Sequence, residues 1–251
     1  MHQFFVDDSQ IGKEYITITG ADVKHIRTVL RMKQGERVRI SSSSGENYFC
    51  EIAEMGEAFV QADILERDEI GTELSNKIYL FQALPKGERM ETIIEKAVEL
   101  GVYEIIPVAM KYCVVRLDAK KAANRVKRYQ AIAESAAKQS KRSRIPHVHE
   151  VMTYAQAVEY AKRCDVCLVP YENARGMQGT AQAIAKIQPG DSVSILIGPE
   201  GGFASEEIEQ VQNDMEVISL GRRILRTDTA AITTMSLLML HSENASADGI
   251  R

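Results

Sequence analysis

From Lys77 onward the chain alternates short apolar runs with amphipathic segments, and this alternation restricts the fold more than any other feature. The runs are "KIYLFQAL", "EIIPVAM", "VCLVPY", "VSILIG" and "EVISL". Continuous apolar strands separated by helical segments predict a mostly parallel sheet covered by helices, because parallel neighbours require crossovers and bury both faces. Between the first two runs, Met90, Ile93, Ile94, Ala97 and Val98 recur on one face of a helix expected over 90–100, with Gly101 as its stop.

Residues 1–70 follow a shorter period. "QFFVDD", "EYITIT", "ERVRISSSSGENYFCEIAEM" and "AFVQADILER" are strand-like, and the alternation through Val38, Ile40, Phe49 and Ile52 predicts a small antiparallel β-barrel. One helix is expected within it over 22–32, where Val23, Ile26, Val29 and Leu30 fall at helical spacing. The polar stretch "DEIGTELSN" serves as a linker. The expected organisation is therefore a β domain at 1–70, an α/β domain at 71–244 and a frayed tail at 245–251.

Several function classes fall away on composition. The longest apolar stretch, "AAITTMSLLML", is shorter than the ~18 residues a membrane span needs, and the amino terminus lacks a basic region followed by an apolar core. A cytoplasmic protein is expected. Four cysteines are too few for a disulfide scaffold, and the Cys164-x-x-Cys167 pair lacks a second ligand pair, so it reads as structural thiols. His147 and His149 have no acidic or cysteine partner motif, so no metal is expected.

Charge is distributed unevenly. Arg116, Lys120, Lys121, Arg125, Lys127, Arg128, Lys138, Lys141, Arg142 and Arg144 stand against only Asp118 and Glu134, a local +8 that leaves −12 on the rest of a chain of net −4. Ala123, Val126, Ile132, Ala133, Ala136 and Ala137 give the same segment an apolar side, which places the cations along the outside of a long helix. A solvated helix face is the plain alternative. A cationic surface on an acidic background otherwise recruits phosphates through counterion release, and Lys24, Arg27, Arg31, Lys33, Arg37 and Arg39 form a second such cluster in the β domain. Two basic surfaces suit a folded RNA recognised by shape.

Three strand ends promise a pocket: "VCLVPYEN", "LIGPEGGFASEE" and "ISLGRRILRTDTAAI". Ligands of open α/β sheets gather where strands end, so the candidates are Val169, Pro170, Gly198, Pro199, Glu200, Gly201, Gly202, Leu220, Gly221, Arg223, Ile224, Leu225 and Thr227. Pro199 removes an amide donor and Glu200 adds a negative charge where a phosphate would sit. Neither a GxxxxGK[ST] nor a GxGxxG string is present. The loop therefore favours an uncharged or cationic ligand, such as an adenosine without phosphates.

"HIRTVLRMKQGERV", "LPKGERMETIIEKAVELGVYEIIPV", "AAKQSKRSRIP", "LIGPEGGFASEE" and "LGRRILRTDTAAI", five strings in register, resemble the RsmE family of bacterial SPOUT-class methyltransferases. The resemblance implies an N-terminal PUA-like barrel for RNA and a C-terminal α/β domain with a deep trefoil knot. It also implies a homodimer that uses S-adenosylmethionine to methylate N3 of a uridine in the decoding region of 16S ribosomal RNA, on the assembled small subunit.

Chemistry then narrows the candidates. Neutral uridine N3 has no free lone pair, so attack on a methyl requires an anionic base, whose charge spreads to the flanking carbonyl oxygens and is stabilised by cationic donors. Arg226, Arg142 and Arg223 are the candidate donors. Glu200 either accepts the proton or fixes the loop, and Thr227 either reaches ligand backbone or caps a helix with Asp228 and Thr229. The RNA-contact candidates are Arg27, Arg31, Lys86, Lys120, Lys121, Arg125, Arg128, Gln139 and Arg142. A non-catalytic RNA-binding or ribosome-assembly factor on the same fold, and a methyltransferase acting on another RNA, are the alternatives.

Overall fold

The computed structural model describes residues 1–247, which divide into two compact units. The first comprises Met1–Glu73 and Ala137–Ile145, the second Leu74–Ala136 and the chain from Pro146 onward. The return of residues 137–145 to the first unit departs from the expected division at residue 70.

In the first unit, strands β1 (His2–Val6), β2 (Tyr15–Thr19), β3 (Arg37–Ser42), β4 (Asn47–Met55) and β5 (Phe59–Arg67) form one sheet in the order β1-β3-β4-β5-β2. All its pairings are antiparallel except β1 with β3. Register shifts at Phe49/Cys50 and Ile52/Glu54 in the β4–β5 ladder add twist and curl the sheet. The result is a PUA-like half-barrel whose ladder stays open between β1 and β2, around a core of Phe4, Ile16, Ile18, Val38, Ile40, Ile52 and Val60.

The helix expected over 22–32 is α1 (Ala21–Lys24), which widens into a π-helical stretch at His25–Leu30 and ends at Arg31 with φ 52°. The wider turn keeps Val23 and Ile26 buried but turns Val29 outward, 65% exposed.

Residues 137–145 are bound to this sheet by polar contacts. Gln3 Nε2 donates to the Arg142 carbonyl at 2.5 Å, Arg39 to the Lys141 carbonyl at 2.7 Å, and Asn47 Nδ2 to Ser143 Oγ at 2.9 Å. Lys138 pairs with Asp22 at 3.3 Å.

The second unit holds β6 (Lys77–Ala83), α2 (Arg89–Glu99), β7 (Glu104–Ala109), α3 (Ala119–Ser140, of which the last turn belongs to the first unit), β8 (His147–Val148) and β9 (Met152–Thr153). It continues through α4 (Tyr154–Ala161), β10 (Val166–Pro170), α5 (Gln178–Ala185), β11 (Ser192–Ile197), α6 (Ser205–Val211), β12 (Glu216–Ile218) and α7 (Thr227–Ala247). Its sheet runs β12-β10-β11-β6-β7-β8, with β9 also on β7, and every pairing is parallel. Central β6 and β11 are almost wholly buried, which explains their unbroken apolar runs. Helix α7 packs on β6, β11 and α2. A core of Phe81, Ala83, Val108, Leu196, Phe203 and Val211 includes Ala157, Val158 and Ala161 of α4.

Of the expected tail, residues 245–247 continue α7 and residues 248–251 lie outside the described residues. Among the described residues no helix is long and apolar enough to cross a membrane. Cys164 and Cys167 are free, and burial pushes the Cys164 thiol up to about 12 and raises that of Cys167, as inert packed thiols require. His149 Nε2 lies 2.7 Å from Glu104 Oε2 beside Tyr160, a local contact at the sheet edge.

Candidate functional site: a cavity at the strand ends

Three adjacent strands, β12, β10 and β11, end on the same side of the sheet because they are parallel, and their loops enclose one cavity of about 560 Å³. That size suits a cofactor-scale ligand. Pro170–Glu172 follow from β10, Gly198–Phe203 follow β11, and Leu220–Arg226 follow β12. Ile197, Thr227, Ala230 and Arg89 complete the wall. All the predicted cofactor residues except Val169 line it; Val169 is fully buried in the strand behind.

The loop after β11 is fixed from both ends. Glu200 Oε1 accepts the Lys86 backbone N–H at 2.9 Å and the Arg89 guanidinium at 2.5 Å. Burial alone would raise the pKa of this carboxyl, but the amide of Lys86, its own amide and Arg89 outweigh burial and hold it below the ordinary glutamate value. A carboxylate so clamped is a poor proton acceptor and a good loop anchor. At the far end, Glu207 of α6 accepts the Ala204 N–H at 2.9 Å. Thr227 Oγ1 donates to the Gly198 carbonyl at 2.7 Å and accepts from Gln82 Nε2 at 3.0 Å, so this hydroxyl of the cavity wall ties β6, the loop and α7 together.

Gly202 is required by its backbone. Its φ is +73°, and a Cβ there would collide with the Glu172 carboxylate. That approach brings Glu172 into the cavity wall beside Glu200, and two carboxylates with a proline between glycines suit a cationic, phosphate-free ligand. Across the cavity, Ile224 is 86% exposed and forms an apolar face with Leu220 and Leu225, flanked by Arg223 and Arg226. Such a face is available to a flat ring.

Sequence reasoning missed Arg89 and Glu172. Arg89 opens α2 just after Gly87, and Glu172 is the next-to-last residue of the "VCLVPYEN" string. Both became visible as cavity residues only through contacts distant in sequence.

Arg142 is the candidate donor that the structure buries. It belongs to the first unit, its side chain is 3% exposed, and its Nε and NH2 grip Glu73 at 2.8 and 2.5 Å. The Ser143 N–H donates to the same carboxylate at 2.8 Å. A buried guanidinium gripped this way holds residues 137–145 in place.

The RNA candidates fall in three groups. Arg27 and Arg31 line a cleft with Lys24 and Thr28 in the first unit, where Arg27 also donates to the Gly56 carbonyl at 2.8 Å. On α3, Lys120, Lys121 and Arg128 are exposed and Arg125 is half-buried, with Lys121 paired to Asp118 at 3.2 Å and Arg128 to Glu91 at 2.7 Å. Gln139 is exposed on the last turn of that helix, and Lys86 is exposed beyond its backbone contact to Glu200.

Comparison with known proteins agrees with this geometry. Residues 72–239 match the model of the RNA methyltransferase domain, and residues 18–65 match that of the RNA methyltransferase PUA domain. The chain is 35% identical over 232 residues to ribosomal RNA small subunit methyltransferase E of Bacillus subtilis, covering 90% of each. Among solved structures it is similar to the same-named protein of Neisseria gonorrhoeae bound to S-adenosyl methionine, with a TM-score of 0.81, 28% identity and 96% and 97% of the two chains covered. A Legionella pneumophila methyltransferase with bound SAM gives a TM-score of 0.80 at 30% identity, over 95% and 96% of the chains. The chain therefore belongs to the RNA methyltransferase family that includes the ribosomal RNA small subunit methyltransferase E proteins, with a PUA-like unit preceding its α/β unit.

Proposed function

We propose that this protein is an S-adenosylmethionine-dependent enzyme that methylates N3 of a uridine in the decoding region of 16S ribosomal RNA. The observation that carries the reading is the one cavity made by the loops after β10, β11 and β12, which joins two carboxylates, close-approaching backbone and apolar walls with the arginines Arg89, Arg223 and Arg226. Such walls fit an adenosyl sulfonium: Ile224, Leu225 and Leu220 would take the flat adenine, and Glu172 would take the cationic portion. When bound, the cofactor supplies an electrophilic methyl.

The chain's own groups do the rest. Arg226 and Arg223, on the cavity wall, would stabilise the N3 anion through the uracil carbonyl oxygens. Glu200 positions the loop through Lys86 and Arg89, and the N3 proton passes to solvent water. The family's trefoil knot, its homodimer and a cytoplasmic site of action on the assembled small subunit belong to the same reading. They are supported by similarity over nine-tenths of the chain.

Calorimetric titration with adenosylmethionine tests the reading together with mass mapping of modified nucleosides in 16S ribosomal RNA from cells lacking the gene. One-site binding heat and loss of a single N3-methyluridine are expected. A silent titration supports instead a binding factor on the same fold, and loss of a different modified base redirects the substrate.

RNA capture by α3 makes a separate prediction. Lys120 and Lys127 lie two turns apart with no acidic partner among the described residues, so Lys120→Glu with Lys127→Glu removes up to two phosphate ion pairs. The slope of log K against log salt for 16S RNA should flatten by about 0.7–0.9 for each phosphate ion pair removed. An unchanged slope assigns the helix face to solvent.

A further inference from the structure

The loop joining β7 to α3 combines rigidity with exposed apolar side chains. It is pinned from beneath. The Lys111 N–H donates to Glu207 Oε1 at 2.9 Å, Arg116 NH2 donates to the Lys111 carbonyl at 3.0 Å, and the Cys113 N–H donates to the Met110 carbonyl at 3.2 Å while its side chain is buried. Because Glu207 also receives the Ala204 N–H, one carboxylate locks this loop to the glycine loop of the cavity.

Above those anchors Tyr112 is 47% exposed and Val114 67% exposed. Lys111 Nζ stands 5.7 Å from the Tyr112 ring centroid and pairs with Glu206, which holds the ring on one side. Tyr112 also backs directly onto the cavity: a Cβ on Gly201 would sit 3.0 Å from Tyr112 Cβ, so only the backbone of the glycine loop separates the two. The fold gains nothing from presenting an aromatic ring and a valine to water there, and a rigid ring beside an exposed arginine is the composition that binds unpaired bases.

We propose that Tyr112 is a stacking platform for an unpaired RNA base next to the methylated nucleotide, with Arg116 taking the adjoining phosphate. The inference rests on the methyltransferase reading of the cavity and adds a substrate contact outside it. Every nucleobase offers a π-face, so this contact contributes affinity and register without selecting the base.

The chain contains no tryptophan, so Tyr112→Trp creates a single fluorescent reporter in the full-length protein. Titration with a uridine oligonucleotide should quench its emission strongly and saturably, because stacking on a base places the indole against an efficient quencher. Tyr112→Ala should raise KM for small-subunit particles about tenfold, with kcat and adenosylmethionine affinity within about twofold, and Tyr112→Phe should restore wild-type KM.

An unquenched tryptophan under saturating RNA overturns the proposal. So does emission that changes with protein concentration in the absence of RNA, since that assigns the ring to contact with a second copy of the chain. Wild-type methyl transfer measured in parallel separates the two readings. A silent tryptophan on an active enzyme refutes only the platform, and quenching without methyl transfer leaves the platform and refutes the proposed reaction.

Discussion

Replacing Arg226 by alanine is expected to lower methyl transfer by about 100- to 1,000-fold while adenosylmethionine affinity falls by less than about threefold. The asymmetry follows from when the charge exists. In the bound ground state the uracil ring is neutral, whereas the attacking ring carries a full negative charge shared by its oxygens, so a guanidinium stabilises the transition state far more than either ligand alone. Arg226 lines the cavity on an exposed loop at the start of α7, so truncation should leave stability within about 0.5 kcal/mol. Arg226→Lys should recover only part of the rate, because an ammonium keeps the charge but not the planar pair of donors. Single-turnover rates and cofactor titration on the same preparations check the prediction. Equal losses in rate and cofactor affinity would confine Arg226 to the cofactor.

What the sequence announced, and what it hid, divides by range of interaction. The apolar runs at 77–84 and 193–198 could be read because both faces of a central parallel strand are buried, which leaves a continuous apolar string. The loop after β11 could be read because glycine and proline act on their own backbones.

The outward turn of Val29 could not. A 3.6-residue period places it beside Ile26 and Leu30, but the π-helical widening at His25–Leu30 rotates it off the core, and nothing local signals the extra residue per turn. The role of Glu200 was undecidable for a related reason. Its partners Lys86 and Arg89 lie more than a hundred residues away, so the same acidic side chain in the same string could have been a base or an anchor. The basic segment 116–144 combines two cases that composition cannot separate. Its amino-terminal cations lie on the face of α3, whereas Arg142 is drawn into another unit by a carboxylate 69 residues earlier.

That ion pair sets the second large effect. Glu73→Ala is expected to destabilise the protein by about 3–5 kcal/mol, because it strips the buried Arg142 guanidinium of the Glu73 carboxylate and the Ser143 N–H of that acceptor. At roughly 2–4 °C per kcal/mol for a chain of this length, thermal scanning should show a fall of about 6–20 °C. Faster hydrogen exchange should appear in β1 and β3, whose Gln3 and Arg39 hold the carbonyls of Arg142 and Lys141. Removing both charges with Glu73→Leu and Arg142→Met should cost less than Glu73→Ala alone, since an apolar pair of similar volume needs no buried compensation. The double variant also separates anchoring from catalysis. If Arg142 only fixes residues 137–145, the folded double variant methylates RNA within about fivefold of wild type. Loss of 100-fold or more in rate with stability retained would return Arg142 to the catalytic machinery, because a transition-state donor cannot be replaced by a thioether.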